Sequence, residues 1–127
     1  MRIILFFFSL LSFHIAFAQE CYPEKSKGKK AVKKIEKLIE KRAYYDAIDA
    51  LQNKNEIAAF LVLKSEILWR RGEFFNAETE ALKAIDICPD NFPKAYYLLG
   101  EIAYKIKDYV NADIYLSKAI NLQIGDP

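Results

Sequence analysis

The chain has few of the side chains on which catalysis and metal binding usually depend. Its 127 residues include one histidine, two cysteines and four glycines. The histidine, His14, lies in the apolar N-terminal segment, residues 1–18. If that segment is removed, the chain has no imidazole for general-base or metal chemistry. Two distant cysteines without histidine do not make a zinc site, and scattered glycines form no phosphate-binding loop. The sequence therefore predicts no catalytic residue, no cofactor and no metal, and we expect the protein not to be an enzyme.

Proline is also scarce where the sequence has helical periodicity. The four prolines lie near expected ends or turns, and no segment alternates at period two for long enough to form a strand. From Lys29 onward, apolar residues recur at three- and four-residue spacing, which predicts amphipathic helices. Asn55 is expected to cap the third of them. The six predicted helices are Lys25–Lys41, Tyr44–Asn53, Asn55–Arg71, Glu73–Ile87, Pro93–Ile106 and Asp108–Leu122.

Residues 1–18 have the composition of a secretory signal peptide. Arg2 is the only charge among them, an apolar run follows, and Ala16-Phe17-Ala18 is a small-x-small cleavage site. The apolar run is shorter than the ~20 residues that a membrane-spanning helix needs. We therefore expect an exported protein, periplasmic or associated with the outer membrane. Lipidation at Cys21 is not expected, because Glu20 stands where a lipidation site has a small residue.

Export places the protein in an oxidising compartment, where Cys21 and Cys88 could form one disulfide bond. The alternative is a buried thiol at Cys88 and an unpaired Cys21 in a loose N-terminal arm. The sequence leaves both open.

Charge is unevenly distributed along the chain. Residues 19–45 carry nine basic and four acidic side chains, whereas residues 46–127 carry nine basic and thirteen acidic ones. The basic part could contact an anionic membrane surface. Alternatively it is a solvated helix face with i,i+3 pairs between Lys33 and Glu36 and between Lys37 and Glu40. Nucleic acid is not an expected partner of an exported protein.

Two stretches repeat the same pattern of small and large residues 35 positions apart. Small residues at helix crossings allow close backbone approach, and Gly100 inside a helix implies a neighbour that fills its space, with Tyr109 or Leu116 as candidates. The first stretch has Leu61, Ser65, Leu68, Gly72, Phe74, Ala77, Ala81 and Ala84, and the second has Tyr96, Gly100, Ala103, Lys107, Tyr109, Ala112, Leu116 and Ala119.

This pattern resembles the tetratricopeptide repeat, a helix–turn–helix unit of 34 residues. The resemblance implies an all-α fold, a right-handed superhelical stack of antiparallel helix pairs with about three units. The units are expected at about 30–54, 58–91 and 93–124, within a helical domain spanning 29–124. An arm at 19–28 precedes the domain, and a tail at 125–127 follows it.

The resemblance also implies a protein-binding role. In this family the first helix of each unit lines a concave face that binds a peptide or protein segment. A competing interpretation is that Trp69 and Tyr104 only pack between units. The chaperone-binding form of the family needs Asn and Lys where this chain has Val62, Glu66 and Glu101, so that specialisation is not expected. The residues expected on the concave face are Val62, Glu66, Trp69, Arg70, Tyr97, Glu101, Tyr104 and Lys105.

Two further expectations concern assembly. The leader, early cysteine and repeats resemble exported Bacteroidetes-type proteins, in which such repeats precede a β-propeller and a domain similar to that of outer-membrane protein A. The last helix has no evident polar outer face, which favours self-association or a following domain. The residues expected to be partly bare there are Leu116, Ile120, Leu122 and Ile124.

Overall fold

The computed structural model describes residues 20–124 as an all-helical stack, which confirms the predicted fold class. Within these residues the only β pairing is one isolated parallel bridge between Glu20 and Ile57. Consecutive helices pack as antiparallel pairs, and α5 contacts both helices of the pair before it. None of the described helices is both long and apolar enough to cross a membrane. The helices are α1 (Ser26–Glu40), α2 (Tyr44–Ala50), α3 (Ala58–Arg70), α4 (Phe74–Ile87), α5 (Pro93–Lys105) and α6 (Tyr109–Ile124).

The three turns that join the two helices of each pair have the same backbone conformation. Its central residue adopts a left-handed conformation, with φ of 60° at Arg42, 81° at Gly72 and 65° at Lys107. Only glycine adopts this region without cost, so the first and third turns are strained where the second is not. In each turn the next N–H donates to the carbonyl five residues earlier, which closes the C-terminus of the helix. These bonds are Ala43 to Leu38 (2.8 Å), Glu73 to Leu68 (2.9 Å) and Asp108 to Ala103 (2.9 Å).

Small residues lie where the helices of a pair cross, as the sequence pattern predicts. Ala47 and Ala77 are fully buried. The Ser65 hydroxyl donates to the Ala77 carbonyl at 2.7 Å. A Cβ atom built on Gly100 would lie 2.6 Å from the Leu116 side chain, so Leu116, and not Tyr109, fills the space beside this glycine.

The predicted start of the third helix is wrong by three residues. The helix begins at Ala58, and Ile57, not Asn55, occupies the N-cap position without a side-chain hydrogen bond. The N-terminal arm supplies the cap instead: the Ala58 N–H donates to the Glu20 carbonyl and the Ala59 N–H to the Cys21 carbonyl, both at 2.9 Å. These two bonds satisfy N–H groups that a helix start otherwise leaves without partners. Residues before the helix are therefore free to form the turn that joins α2 to α3.

Candidate functional site

An open groove of about 460 Å³ runs between α1 and α3. Val32 and Ile39 of α1 form part of its apolar surface, together with Ala59, Val62 and Leu63 of α3. Val62 and Leu63 are buried, whereas Val32 is half-buried, so the groove has a fixed floor and an accessible edge. Such a surface can receive apolar side chains of another molecule.

The α3 side of the groove carries a cluster of three charges. The Glu66 carboxylate is buried, and its Oε1 accepts from Arg70 Nη2 and from Lys94 Nζ of α5, each at 3.0 Å. Burial acts to lower the pKa of Arg70, but hydrogen bonds with Glu66 and Tyr44 outweigh it and raise the pKa above its usual value. Because one carboxylate faces two cations, this side keeps a net positive charge at neutral pH.

The α1 side of the groove is acidic. Glu36 and Glu40 are exposed and line the groove, and neither forms an ion pair within residues 20–124. Unpaired carboxylates on one side and excess cationic charge on the other give the groove opposite polarities across its width. Charge complementarity would therefore favour one orientation of a charged ligand over the other.

The N-terminal arm closes one end of the groove. Cys21 and Cys88 are joined by a disulfide bond, with their Cα atoms 5.8 Å apart, so the structure contains the first of the two arrangements that the sequence left open. The bond ties the arm to the end of α4. Next to it, the Tyr22 ring lies 4.9 Å from that of Phe92, and the Tyr22 hydroxyl donates to the Asn91 carbonyl at 3.0 Å. Tyr22 and Phe92 both line the groove.

The eight residues expected on the concave face lie in different environments. Val62, Glu66 and Arg70 line the groove. Trp69 is half-buried and packs against a core cluster that contains Leu68 and Ile102. Within the described residues its buried Nε1 has no hydrogen-bond acceptor. On α5, Tyr97 and Tyr104 are 46% and 60% exposed, Glu101 is half-buried and Lys105 is exposed.

Sequence reasoning missed the contribution of α1 and of the arm to the groove. Val32, Glu36 and Glu40 are four residues apart, a spacing that places them on one face of a helix, and this signal was available. The arm gave no such signal, because the position of Tyr22 depends on a disulfide bond that the sequence does not require. Among residues 20–124 no group of three or more His, Cys, Asp or Glu side chains is arranged to hold a metal ion.

Comparison with known families identifies part of this architecture. Residues 93–123, which cover α5 and nearly all of α6, match the family profile described as tetratricopeptide repeat. Comparison of the chain with curated proteins found no match. Tetratricopeptide repeats generally mediate protein–protein interactions and typically have no enzymatic activity, so the match supports a scaffold that binds protein partners.

Proposed function

We propose that this protein is a non-enzymatic scaffold of the bacterial cell envelope that binds a peptide or protein segment in the groove between α1 and α3. The observation that carries the proposal is the groove itself, with its apolar floor, its acidic α1 side and its basic α3 side. A repeat match within the same stack supports the class of partner. The signal-peptide pattern of residues 1–18, which lies outside the described residues, supports export, as does the disulfide bond.

The groove chemistry specifies the ligand. An apolar side chain would occupy the floor beside Val32 and Val62. A basic side chain would face Glu36 and Glu40. An acidic side chain or a C-terminal carboxylate would face Arg70 and Lys94, the cations beside Glu66. The favoured ligand is therefore an extended segment with an apolar anchor between opposite charges.

A peptide-display selection on the oxidised protein tests this proposal. We expect enriched peptides to share an apolar residue next to a basic one. The double variant Glu36→Lys/Glu40→Lys should weaken their binding by about tenfold or more, because it reverses the polarity of one side of the groove. The matched control is Asp49→Lys/Asp86→Lys, which makes the same charge change on exposed positions of α2 and α4. Selection of no peptide, or equal binding by both double variants, would contradict the proposal.

Replacement of Trp69 does not locate the binding site, although the sequence places this residue on the concave face. Its ring packs against the cluster that holds α5 on α3. Truncation of a large core aromatic costs about 3–5 kcal/mol, and a half-buried ring should cost less than that. A Trp69→Ala variant would therefore lose stability, and a loss of binding by it would not locate the site.

Export is tested on the full chain. We expect N-terminal sequencing of protein from the periplasm of a host bacterium to begin at Gln19. A mature chain that starts at Met1 and stays in the cytoplasm would contradict the envelope location. The relationship to exported Bacteroidetes-type proteins that carry a β-propeller and an outer-membrane protein A-like domain is part of the same proposal.

Contact with an anionic membrane surface is a second candidate function, because α1 has a continuous basic face. The pairs expected between Lys33 and Glu36 and between Lys37 and Glu40 are not formed, and none of the lysines on this face has an ion pair within residues 20–124. Each lysine near an anionic surface contributes about 1 kcal/mol. The five exposed lysines of this face are Lys30, Lys33, Lys34, Lys37 and Lys41.

Liposome sedimentation at low and high salt tests the membrane contact. We expect binding to vesicles that contain phosphatidylglycerol and none to pure phosphatidylcholine, with release of the protein by salt. Binding that does not depend on lipid charge or salt would exclude this role for the basic face.

A further inference from the structure

The last helix pair repeats the surface of the pair before it. A shift of 35 residues places Glu66 on Glu101, Trp69 on Tyr104 and Phe74 on Tyr109. The shared left-handed turns at Gly72 and Lys107 show that the shift holds in the structure. Each residue of the α5–α6 pair can therefore be compared with a counterpart whose environment is known.

In the α3–α4 pair these three positions are covered by the next helix, α5. The Lys94 ammonium binds Glu66 at 3.0 Å. Trp69 and Phe74 pack against the cluster that contains Ile102. One turn later, Lys105 Nζ lies 5.5 Å from the centre of the Phe74 ring. Towards this surface α5 thus presents a basic residue, Lys94, an apolar residue eight positions on, Ile102, and a basic residue three further on, Lys105.

In the α5–α6 pair the two equivalent aromatic positions have no helix over them within residues 20–124. Tyr104 is 60% exposed and Tyr109 58% exposed, and their rings contact each other edge-on at 5.6 Å. Glu101 has no ion pair among the described residues. We call Glu101, Tyr104 and Tyr109 the end face.

Not every exposed apolar residue of α6 belongs to this end face. Val110 is 73% exposed, but its counterpart Phe75, in the covered pair, is 80% exposed. Exposure at that position is a property of each repeat and gives no information about a partner. The contrast that indicates a partner is the one between Trp69 and Phe74, which are covered, and Tyr104 and Tyr109, which are not.

We propose that the end face binds one amphipathic helix of a partner protein, placed on α5 and α6 as α5 is placed on α3 and α4. That helix carries Lys or Arg in its first turn to bind Glu101, an apolar residue eight positions on to contact Tyr104, and Lys or Arg three positions further on to cover the Tyr109 ring. This surface is separate from the groove between α1 and α3, so the partner is additional to the groove ligand.

A second copy of the chain supplies a poorer match. Of the other described helices, α1 has the required spacing, with Lys30, Leu38 and the residue after its last turn, Lys41. Leu38 is half-buried and packs against the core cluster of its own molecule, so only part of its side chain is available to another end face. In α6 the same spacing begins at Lys107, which lies in the turn before the helix.

A labelled peptide with the sequence of residues 92–106 tests the proposal. Its positions 96 and 100, one turn apart on the side that faces α6 in the protein, are joined by a hydrocarbon staple, since short helices are marginal in water. We expect saturable one-to-one binding to the oxidised protein by fluorescence anisotropy. A peptide with Ile102→Asp should not bind.

Protein variants locate the peptide. Tyr104→Ser/Tyr109→Ser should weaken binding by about tenfold or more, and Glu101→Gln by about threefold. Phe75→Ser is the matched control, an exposed aromatic outside the end face, and should bind as the parent does. Circular dichroism verifies that each variant folds.

Two outcomes would overturn the proposal. The first is absence of saturable binding, or binding that the Tyr104→Ser/Tyr109→Ser variant retains. The second is a dimer of the free protein in analytical ultracentrifugation that the same variant dissociates, because the end face would then bind a second copy. The groove variant Glu36→Lys/Glu40→Lys should bind the peptide normally, so this test is independent of the proposed groove function.

Discussion

Reduction of the bond between Cys21 and Cys88 is the perturbation whose effect the structure predicts most directly. The bond closes a loop with a sequence separation of 67 residues. In the chain-entropy description, a cross-link of this span destabilises the unfolded state by about 4 kcal/mol at 25 °C. For a domain of this size, that loss corresponds to a melting temperature lower by about 15–30 °C.

Urea unfolding of oxidised and reduced protein measures the effect without any change of side chain. We expect the reduced protein to lose about 3–4 kcal/mol and to show a larger dependence on urea, because its unfolded chain is no longer constrained and exposes more surface. The double variant Cys21→Ser/Cys88→Ala, which should behave like the reduced protein apart from a small cavity at position 88, serves as the control. Mass spectrometry verifies the oxidised state by the loss of two hydrogen masses.

The result that refutes this reasoning is a difference below about 1 kcal/mol with the bond shown to be intact beforehand. It would mean that the arm and α4 stay together in the unfolded chain, or that the bond strains the folded one. Two free thiols in protein purified from an oxidising compartment would refute the pairing itself.

Three smaller changes follow from single positions. Gly100→Ala should lower the free energy of unfolding by about 1–2 kcal/mol, because overlap with Leu116 outweighs the ~1 kcal/mol gain in helix propensity; Gly100→Ala/Leu116→Ala should recover part of the loss in the same urea titration. Lys107→Gly should raise the free energy of unfolding by about 0.5–1 kcal/mol, since it relieves a left-handed lysine, and a decrease would contradict the turn assignment. Burial raises the pKa of Tyr96 above its ordinary 10.0, so Tyr96 contributes stability that is present below pH 10 and lost as the pH rises through its folded-state value; the stability difference between the parent and Tyr96→Phe should shrink over that interval, and a constant difference would contradict it.

The sequence predicted the elements that depend on local and repeated signals. Ala77 and Ala112 lie at equivalent helix crossings, and Gly72 marks a turn whose conformation favours glycine. Both features depend on residues close to one another in the chain, and the 35-residue repeat doubled the signal. The first turn was harder to recognise because Arg42 takes the left-handed position, and the spacing from Arg42 to Gly72 is 30 residues, not 35.

The features that the sequence did not predict depend on contacts between distant parts of the chain. Asn55 is a good N-cap residue by local chemistry, but the Glu20 carbonyl, supplied from the arm, makes a side-chain cap unnecessary. In the same way, Trp69 was expected on the concave face, but it packs against a cluster to which the next unit contributes Ile102. The arm and the start of α3 are far apart in the sequence, and so are Trp69 and Ile102, so a short sequence window shows neither relationship.

The shape of the groove depends on the disulfide bond, because the bond holds Cys21 in place and the next residue, Tyr22, lines the groove. Tyr22 follows Cys21 directly, and its ring lies against Phe92, four residues after Cys88. Reduction leaves residues 20–25 held by the backbone bonds of Glu20 and Cys21, by the buried Pro23 and by Tyr22, and segments with so few contacts open at low cost. We therefore expect reduced protein, still folded at low temperature, to bind a groove-selected peptide at least several-fold more weakly, whereas binding of the 92–106 peptide at the distant end face should not change. Equal loss at both surfaces would show that reduction unfolds the whole stack, and equal affinity at the groove would show that Tyr22 does not contribute to the ligand contact.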